Sequence, residues 1–395
     1  MIYLDNAATT KIAPEVLDAM MPYLQEQYGN AGTLYSFGRQ AAEAIQTARA
    51  QTAMLFGCTP EHIVFTSGGS EGNNMIVKGL RHKLLQSGKT HLVLSATEHD
   101  SMIKAAESLT KDGFYITYVK PDPSGRITAN EVSAAIQNDT GLVSIMMANN
   151  ETGAVNDIEG IGEVCKRHAI LFHSDCVQSA GQFVLDMDKN NLDFATISAH
   201  KIHGPKGVGA VYIRDMSLSP LIHGGAEQEF GFRGGTENVA GIVGLGAACV
   251  AATKSLSDAA IATSTLKQMF VMELTKNLPY QSLKEAGICS NGYTYLDPGK
   301  VLNLRIDGVF GETLVLMMDA FGVCISAGSA CRSHEAAPSH VLIAHGLTAT
   351  EARNSVRISF SKYNTADEVA QAAAVMANCI EALRSQQEVS QDGTD

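Results

Sequence analysis

The sequence predicts an α/β protein: a large unit with a mainly parallel sheet sandwiched by helices, followed by a smaller α+β unit. Three observations carry this prediction. Six short apolar runs, rich in β-branched and aromatic residues, punctuate the middle of the chain. Amphipathic helix patterns lie between several of them. Beyond about residue 255 the texture changes to strand, helix, strand, helix. Continuous apolar strands alternating with amphipathic helices are expected of a parallel sheet covered on both faces.

The six runs are THLVLSA (90–96), YITYVK (115–120), GLVSIMMA (141–148), AILFHS (169–174), FATISA (194–199) and GAVYIR (209–214). Helix patterns run from Asn74 to Leu85, from Thr128 to Gln137 and from Ile158 to His168. In the last third, KVLNLRI (300–306) reads as a strand, GETLVLMMDAFG (311–322) as a helix and VRISFS (356–361) as a strand. A final amphipathic helix runs from about Thr365 to Arg384. The segment from Ala251 to Thr275, rich in Ser, Thr and Ala, is predicted to contain a long helix joining the two parts. The expected division is a large domain over 15–255 and a small one made of 1–14 and 256–395. The closing QQEVSQDGTD is polar and expected to fray.

Composition narrows the function. The 395 residues are 45% hydrophobic and 18% charged, ample for a packed core. A formal net charge of −12, from 29 basic and 41 acidic residues, argues against direct nucleic-acid binding. The opening MIYLDNAATT lacks a basic stretch followed by an apolar core, and no apolar run reaches the length of a membrane span. A soluble, cytoplasmic protein without membrane association is therefore expected. Eight cysteines stand at irregular spacing with no CxxC pair. Neither a disulfide framework nor a zinc or iron–sulfur site is expected, so no metal is assigned.

Ligands of a parallel sheet bind beyond the carboxyl ends of its strands. THLVLSA is followed by Thr97-Glu98-His99, and GLVSIMMA by Asn149-Asn150-Glu151. AILFHS is followed by Asp175 and then Gln178, and FATISA by His200-Lys201. Four successive strand ends delivering polar groups to one rim point to a polar site. Upstream, FTSGGSEGNN (65–74) sets a glycine-rich turn, with Gly69 and Ser70, before a helix. Such a turn suits a phosphate, although it also serves simply to start a helix.

Lys201, flanked by Ser198 and His200, is either a solvated charge or, in a semi-enclosed site, an amine that loses its proton and forms an imine. Asp175 is either a helix cap or an acid that keeps a ring nitrogen protonated. Cys331 lies in ISAGSACRSHEAAPSHVL, after small residues and before Arg332 and His334. A thiol near cations gains thiolate character. Cys324, inside an apolar run, reads as structural.

These motifs resemble, in order, those of the cysteine desulfurases of the NifS/IscS type. That group lies within the fold-type I (class V aminotransferase) pyridoxal-phosphate enzymes. The resemblance runs from YLDNAATT at residue 3 to RISFSKYNT at residue 357 through TSGGSEGNN, ATEHDS, ANNETG, HSDCVQS, SAHKIHGPKG, FRGGTEN and SAGSACRS. It implies a fold-type I PLP-transferase-like architecture and pyridoxal 5'-phosphate as cofactor. Lys201 resembles the Schiff-base lysine that later shuttles a proton at Cα, and His99 the histidine that stacks on the ring and assists acid–base steps. The other ring face falls to Val177. The resemblance pairs Asp175 with the pyridine nitrogen and Gln178 with the phenolic oxygen. Gly69, Ser70, Ser198 and His200 look like the phosphate cradle. Thr236 looks like a residue that reaches the partner subunit's phosphate, which implies a homodimer. Asn150 and Arg357 match the groups that grip the carboxylate of L-cysteine, and Asn150 also borders the cofactor. Cys331 matches the nucleophile that takes the sulfur as a persulfide, before it passes to an acceptor protein such as an iron–sulfur scaffold or a tRNA-thiolation relay.

The chain departs from the family pattern at four places. Tyr35 stands where histidine is usual, Ser70 where threonine is, Cys176 where alanine is commoner and Arg332 where threonine is usual. None of these removes a group the chemistry needs. A selenocysteine lyase or related Cβ–S lyase of the same fold is the alternative, since Cys331 does not separate cysteine from selenocysteine. A non-catalytic scaffold would have no use for Lys201, Asp175, His99 and Cys331 together.

Overall fold

The computed structural model describes residues 1–122, 124–214, 217–225, 228–292, 296–327 and 337–392. Among them a seven-stranded sheet runs in the order Ile63–Thr66, Gly209–Ile213, Phe194–Ser198, Leu171–Asp175, Thr140–Ser144, His91–Ser95, Tyr115–Val119. From Phe194–Ser198 onward every pairing is parallel, whereas Gly209–Ile213 runs antiparallel to both its neighbours. The strands His91–Ser95, Thr140–Ser144, Phe194–Ser198 and Gly209–Ile213 are buried at every position. That two-sided burial is why they read as unbroken apolar runs. Each fully buried Val, Leu or Ile contributes roughly 1.5–3 kcal/mol. The edge strand Tyr115–Val119 instead keeps two tyrosines partly in solvent.

A second sheet, antiparallel, orders Ser326–Ala327, Ser355–Ser359, Val301–Ile306 and Ile288–Ser290. Its core joins Phe270, Leu304, Ile358, Phe360 and Met376, and takes in Ile2 and Leu4 from the start of the chain. Ile2–Tyr3 pairs in parallel with Val323–Cys324. The chain then crosses to the large sheet: the Ala7 amide donates to Ser359 Oγ at 2.8 Å and the Thr10 amide to His200 O at 2.9 Å. Residues 5–10 are thereby laid between the two sheets, alongside the strand ends. Among the described residues no single helix is long and apolar enough to cross a membrane.

Four details differ from the sequence expectations. The strand Ile63–Thr66 has no counterpart among the predicted runs; with only four residues before a glycine-rich turn, it carries little pattern. The following helix starts at Gly69, not Asn74. Its glycines have poor helix propensity, but Gly72 serves close packing: a Cβ there would come within 2.6 Å of Thr196 Cγ2. GLVSIMMA is a strand only to Ser144, after which the Ile145 and Met147 amides donate to His173 O and Asp175 O. The joining segment comprises two helices, Val239–Lys254 and Leu256–Asn277, bent by 74° at Ser255.

Candidate active site

A cleft of about 250 Å³ opens at the carboxyl ends of the parallel strands. Its lining unites Gly69, Ser70, His99, Asn150, Asp175, Val177, Gln178, Ser198, His200, Lys201 and Arg357. Two predicted residues are not part of it. Thr236 is exposed outside this cleft, and Cys331, with Arg332, lies outside the described residues.

Lys201 ends the short 3-10 turn Ala199–Lys201 that follows the strand Phe194–Ser198. Its Nζ donates to the carbonyls of Ala7 at 2.5 Å and Ala8 at 2.8 Å, so the N-terminal crossing aims the amine. Burial, followed by the charge of Arg357, pulls its pKa down to about 8, against the opposing pull of Asp5 and Asp175. A buried lysine with like charge nearby is a poor ammonium and a better nucleophile. His200 is pushed down to about 4 by burial and then by Lys201, Lys206 and Lys300, so it is a neutral ring at physiological pH.

Asp175 closes the strand Leu171–Asp175. Its carboxylate accepts from the Val177 amide at 2.9 Å and from Asn73 Nδ2 at 2.8 Å. Asn73 also donates to Ser101 Oγ at 2.9 Å, and Ser101 Oγ lies 2.8 Å from His99 Nδ1. The Ser101 amide donates to that same Nδ1 at 3.1 Å. Nδ1 is therefore the acceptor of the neutral ring, the Ser101 hydroxyl proton points to it, and the proton of His99 sits on Nε2. One chain of hydrogen bonds thus fixes the orientation of Asp175 and the tautomer of His99 together.

Beneath them Glu98 is fully buried, with Oε1 accepting from the Met146 amide at 2.6 Å. Burial and then the charge of Asp175 hold its carboxyl well above the usual range. At the cleft's other end, Arg357 reaches from the small sheet. It donates to Asp5 Oδ1 at 2.8 Å and to Asn150 O at 2.9 Å, while its buried Nε has no partner among the described residues. The 18-residue helix Gly69–Gln86 presents an N-terminus with no side-chain cap, beside Ser70, Ser198 and His200.

Sequence reasoning missed Asn73, Ser101 and the Ala7–Ala8 carbonyls. Asn73 and Ser101 lie inside the quoted motifs TSGGSEGNN and ATEHDS, but their roles emerge only when the helix start at Gly69 is known. Cys176, beside Asp175, is buried and its thiol is pushed up to about 12 by that burial, so it is a small core residue.

The chain matches the aminotransferase class-V family over residues 2–371. It is 39% identical to a cysteine desulfurase of Trichormus azollae, over 98% of this chain and 94% of the relative. A NifS-like protein of known structure superposes with a TM-score of 0.87 at 32% identity, covering 96% of this chain and 99% of that one. A structure of SspA in complex with cysteine superposes at 0.79 with 35% identity, covering 92% of this chain and 100% of that one. With a family match over most of its length and relatives along all of it, the chain belongs to the aminotransferase class-V family, among its cysteine desulfurases.

Proposed function

We propose that the cleft binds pyridoxal 5'-phosphate and L-cysteine, releases L-alanine, and leaves the sulfur on Cys331 as a persulfide for transfer to an acceptor protein in the cytoplasm. The observation that carries this reading is one cleft holding a depressed lysine amine, an oriented aspartate and a guanidinium with a free buried N–H. The residues fit the cofactor. The uncapped helix N-terminus with Ser70, Ser198 and His200 suits its phosphate. Asp175 suits a protonated ring nitrogen. Gly69 lets the helix start lie close against Val177, whose Cγ2 a Cβ would meet at 2.8 Å, and the buried Gln178 Oε1 has no partner among the described residues.

When bound, the cofactor supplies an electron sink for charge developing at the substrate Cα. Lys201 holds it and then moves the Cα proton. The Asn73–Ser101 chain keeps Asp175 and His99 in one geometry. Arg357 and Asn150 grip the substrate carboxylate, for which a guanidinium provides matched paired donors. The Cys331 thiolate forms the S–S bond as the Cβ–S bond breaks. Cysteine plus one enzyme thiol thus gives alanine plus one persulfide, with no outside oxidant.

Homodimerisation follows from the Thr236 assignment, and the build of its segment supports it. Glu229 and Phe230 adopt left-handed backbone, with φ of 44° and 57°. Arg49 holds Glu229 in a buried two-bond ion pair at 2.8 and 2.7 Å. Further along, Arg233 pairs with Glu71 at 3.0 Å, and Gln228 Oε1 accepts from the Gly225 and Gly235 amides. These ties hold in one shape the segment that carries the exposed Thr236.

Two measurements test this reading. The cofactor-loaded protein, given L-cysteine and a thiol reductant, releases one alanine and one sulfide per cysteine consumed; pyruvate and ammonia in their place would establish an eliminating lyase instead. The rate at which cofactor-free protein captures pyridoxal 5'-phosphate rises about tenfold per pH unit up to about 8 and then levels, because only the free amine of Lys201 reacts. A rate still climbing far above that pH would mean that the reacting amine is an ordinary exposed lysine.

A further inference from the structure

Two successive carbonyls of the turn that carries Asn150 are held from the small sheet. Asn150 O accepts from Arg357 Nη1 at 2.9 Å, and Glu151 O from Asn303 Nδ2 at 3.0 Å. Neither carbonyl has a backbone partner among the described residues. Asn303 and Arg357 stand directly opposite each other in the antiparallel pair of Val301–Ile306 with Ser355–Ser359. Opposed residues project from the same face of a sheet, so the small sheet meets the turn with two adjacent donors. Gly153, at the end of the turn with φ of 76°, lies so near this strand that a Cβ would come within 3.1 Å of Val301 O. Ser339 Oγ also reaches the turn, but it holds the Glu151 carboxylate, at 2.5 Å, and not a peptide group.

The two donors differ in what else is asked of them. Arg357 lines the cleft and is also bound to Asp5 at 2.8 Å. Asn303 is fully buried and is not part of the cleft lining. Its Oδ1 accepts from Asn291 Nδ2 at 2.7 Å, which fixes the amide with its nitrogen toward Glu151. Asn291 Nδ2 also donates to Ser355 Oγ at 2.9 Å, and the Ser355 hydroxyl donates to Glu351 O at 2.8 Å. Buried polar groups linked in this way hold one geometry. The turn is itself stiff, because Asn149 Oδ1 accepts from the Glu151 and Thr152 amides at 2.8 and 2.9 Å. A grip on the Glu151 carbonyl therefore places Asn150 as well.

We propose that Asn303 is a positioning residue for the carboxylate grip: it ties the 149–152 turn to the small sheet independently of Arg357, so that the guanidinium gives its donors to the substrate while Asn150 keeps its place. The proposal rests on Arg357 and Asn150 being the ligands of the substrate carboxylate. A buried amide that served packing alone would support stability without distinguishing one cleft ligand from another.

The full-length, cofactor-loaded protein is titrated with L-alanine and with ethylamine, which share an amine and differ in the carboxylate, and binding is read from the cofactor's absorption. Asn303→Ala weakens L-alanine about tenfold and changes ethylamine by less than about twofold. In the cofactor-free chain, hydrogen exchange across residues 149–153 quickens in the variant, because the turn has lost its fixed tie. Equal weakening of both ligands, undiminished affinity for L-alanine, or wild-type exchange in the turn overturns the proposal. If Asn303→Ala does not fold, Asn303→Asp, which keeps the size and the Asn291 contact but loses the donor, decides by the same readings. A wild type that holds L-alanine no better than ethylamine would sink the carboxylate reading of the cleft, and this proposal with it. A wild type that prefers L-alanine and a variant that keeps the full preference overturn the proposal alone.

Discussion

Lys201→Ala purifies without the yellow colour of the wild type and consumes L-cysteine at least about 10³-fold more slowly, the scale expected when an acid–base group is removed together with its covalent role. The physical basis is local. The backbone of residues 199–201 turns tightly after a fully buried strand, and the Ala7 and Ala8 carbonyls aim the side chain. Arg357, whose own position is held by Asp5, adds like charge that favours the free base. Among the described residues no other lysine lines the cleft, so no neighbour inherits the role. The fold itself is expected to persist in the variant, because a half-buried side chain beside an open cleft is shortened to a methyl group. A variant that stayed yellow and active would move the chemistry to another part of the molecule.

Cys331→Ser retains colour and still binds L-cysteine, yet forms no persulfide, and alanine release falls by about 10²-fold or more. Six of the other seven cysteines are poorly suited to the role. The other seven cysteines are free thiols among the described residues. Burial pushes Cys58, Cys165, Cys176 and Cys249 up to about 12, and also raises Cys324 and Cys379. A thiol so rarely ionised is a weak nucleophile at neutral pH. Cys331 is followed directly by Arg332, whose positive charge favours the thiolate. Persulfide found on another cysteine peptide, or undiminished alanine release from the serine variant, would contradict the assignment.

Much of the cleft was legible in the sequence because the sheet is parallel. His99, Asn150, Asp175 and Lys201 each follow a buried apolar run, and a parallel sheet sends all such ends to one side. The phosphate end was legible in kind but not in register. Glycines at 68, 69 and 72 read as a turn, whereas tertiary packing against Thr196 and Val211 draws Gly69 to Asn73 into the helix. That shift hid Asn73, whose two amide hydrogens tie Asp175 to Ser101. The Ala7 and Ala8 carbonyls carry no side-chain signal at all, since backbone groups of a crossing segment acquire meaning only once two sheets are in place. Arg357 was assigned through the family resemblance, because no local pattern says that a strand of the small sheet faces the cleft.

The account stands most directly on the identity of the amine that holds the cofactor. Borohydride reduction of the yellow protein, followed by peptide mapping, measures it. The result predicted here is a single pyridoxyl-phosphate adduct on the peptide containing Lys201, with every other lysine peptide unmodified. An adduct on any other lysine, or none on a protein saturated with cofactor, would contradict the account.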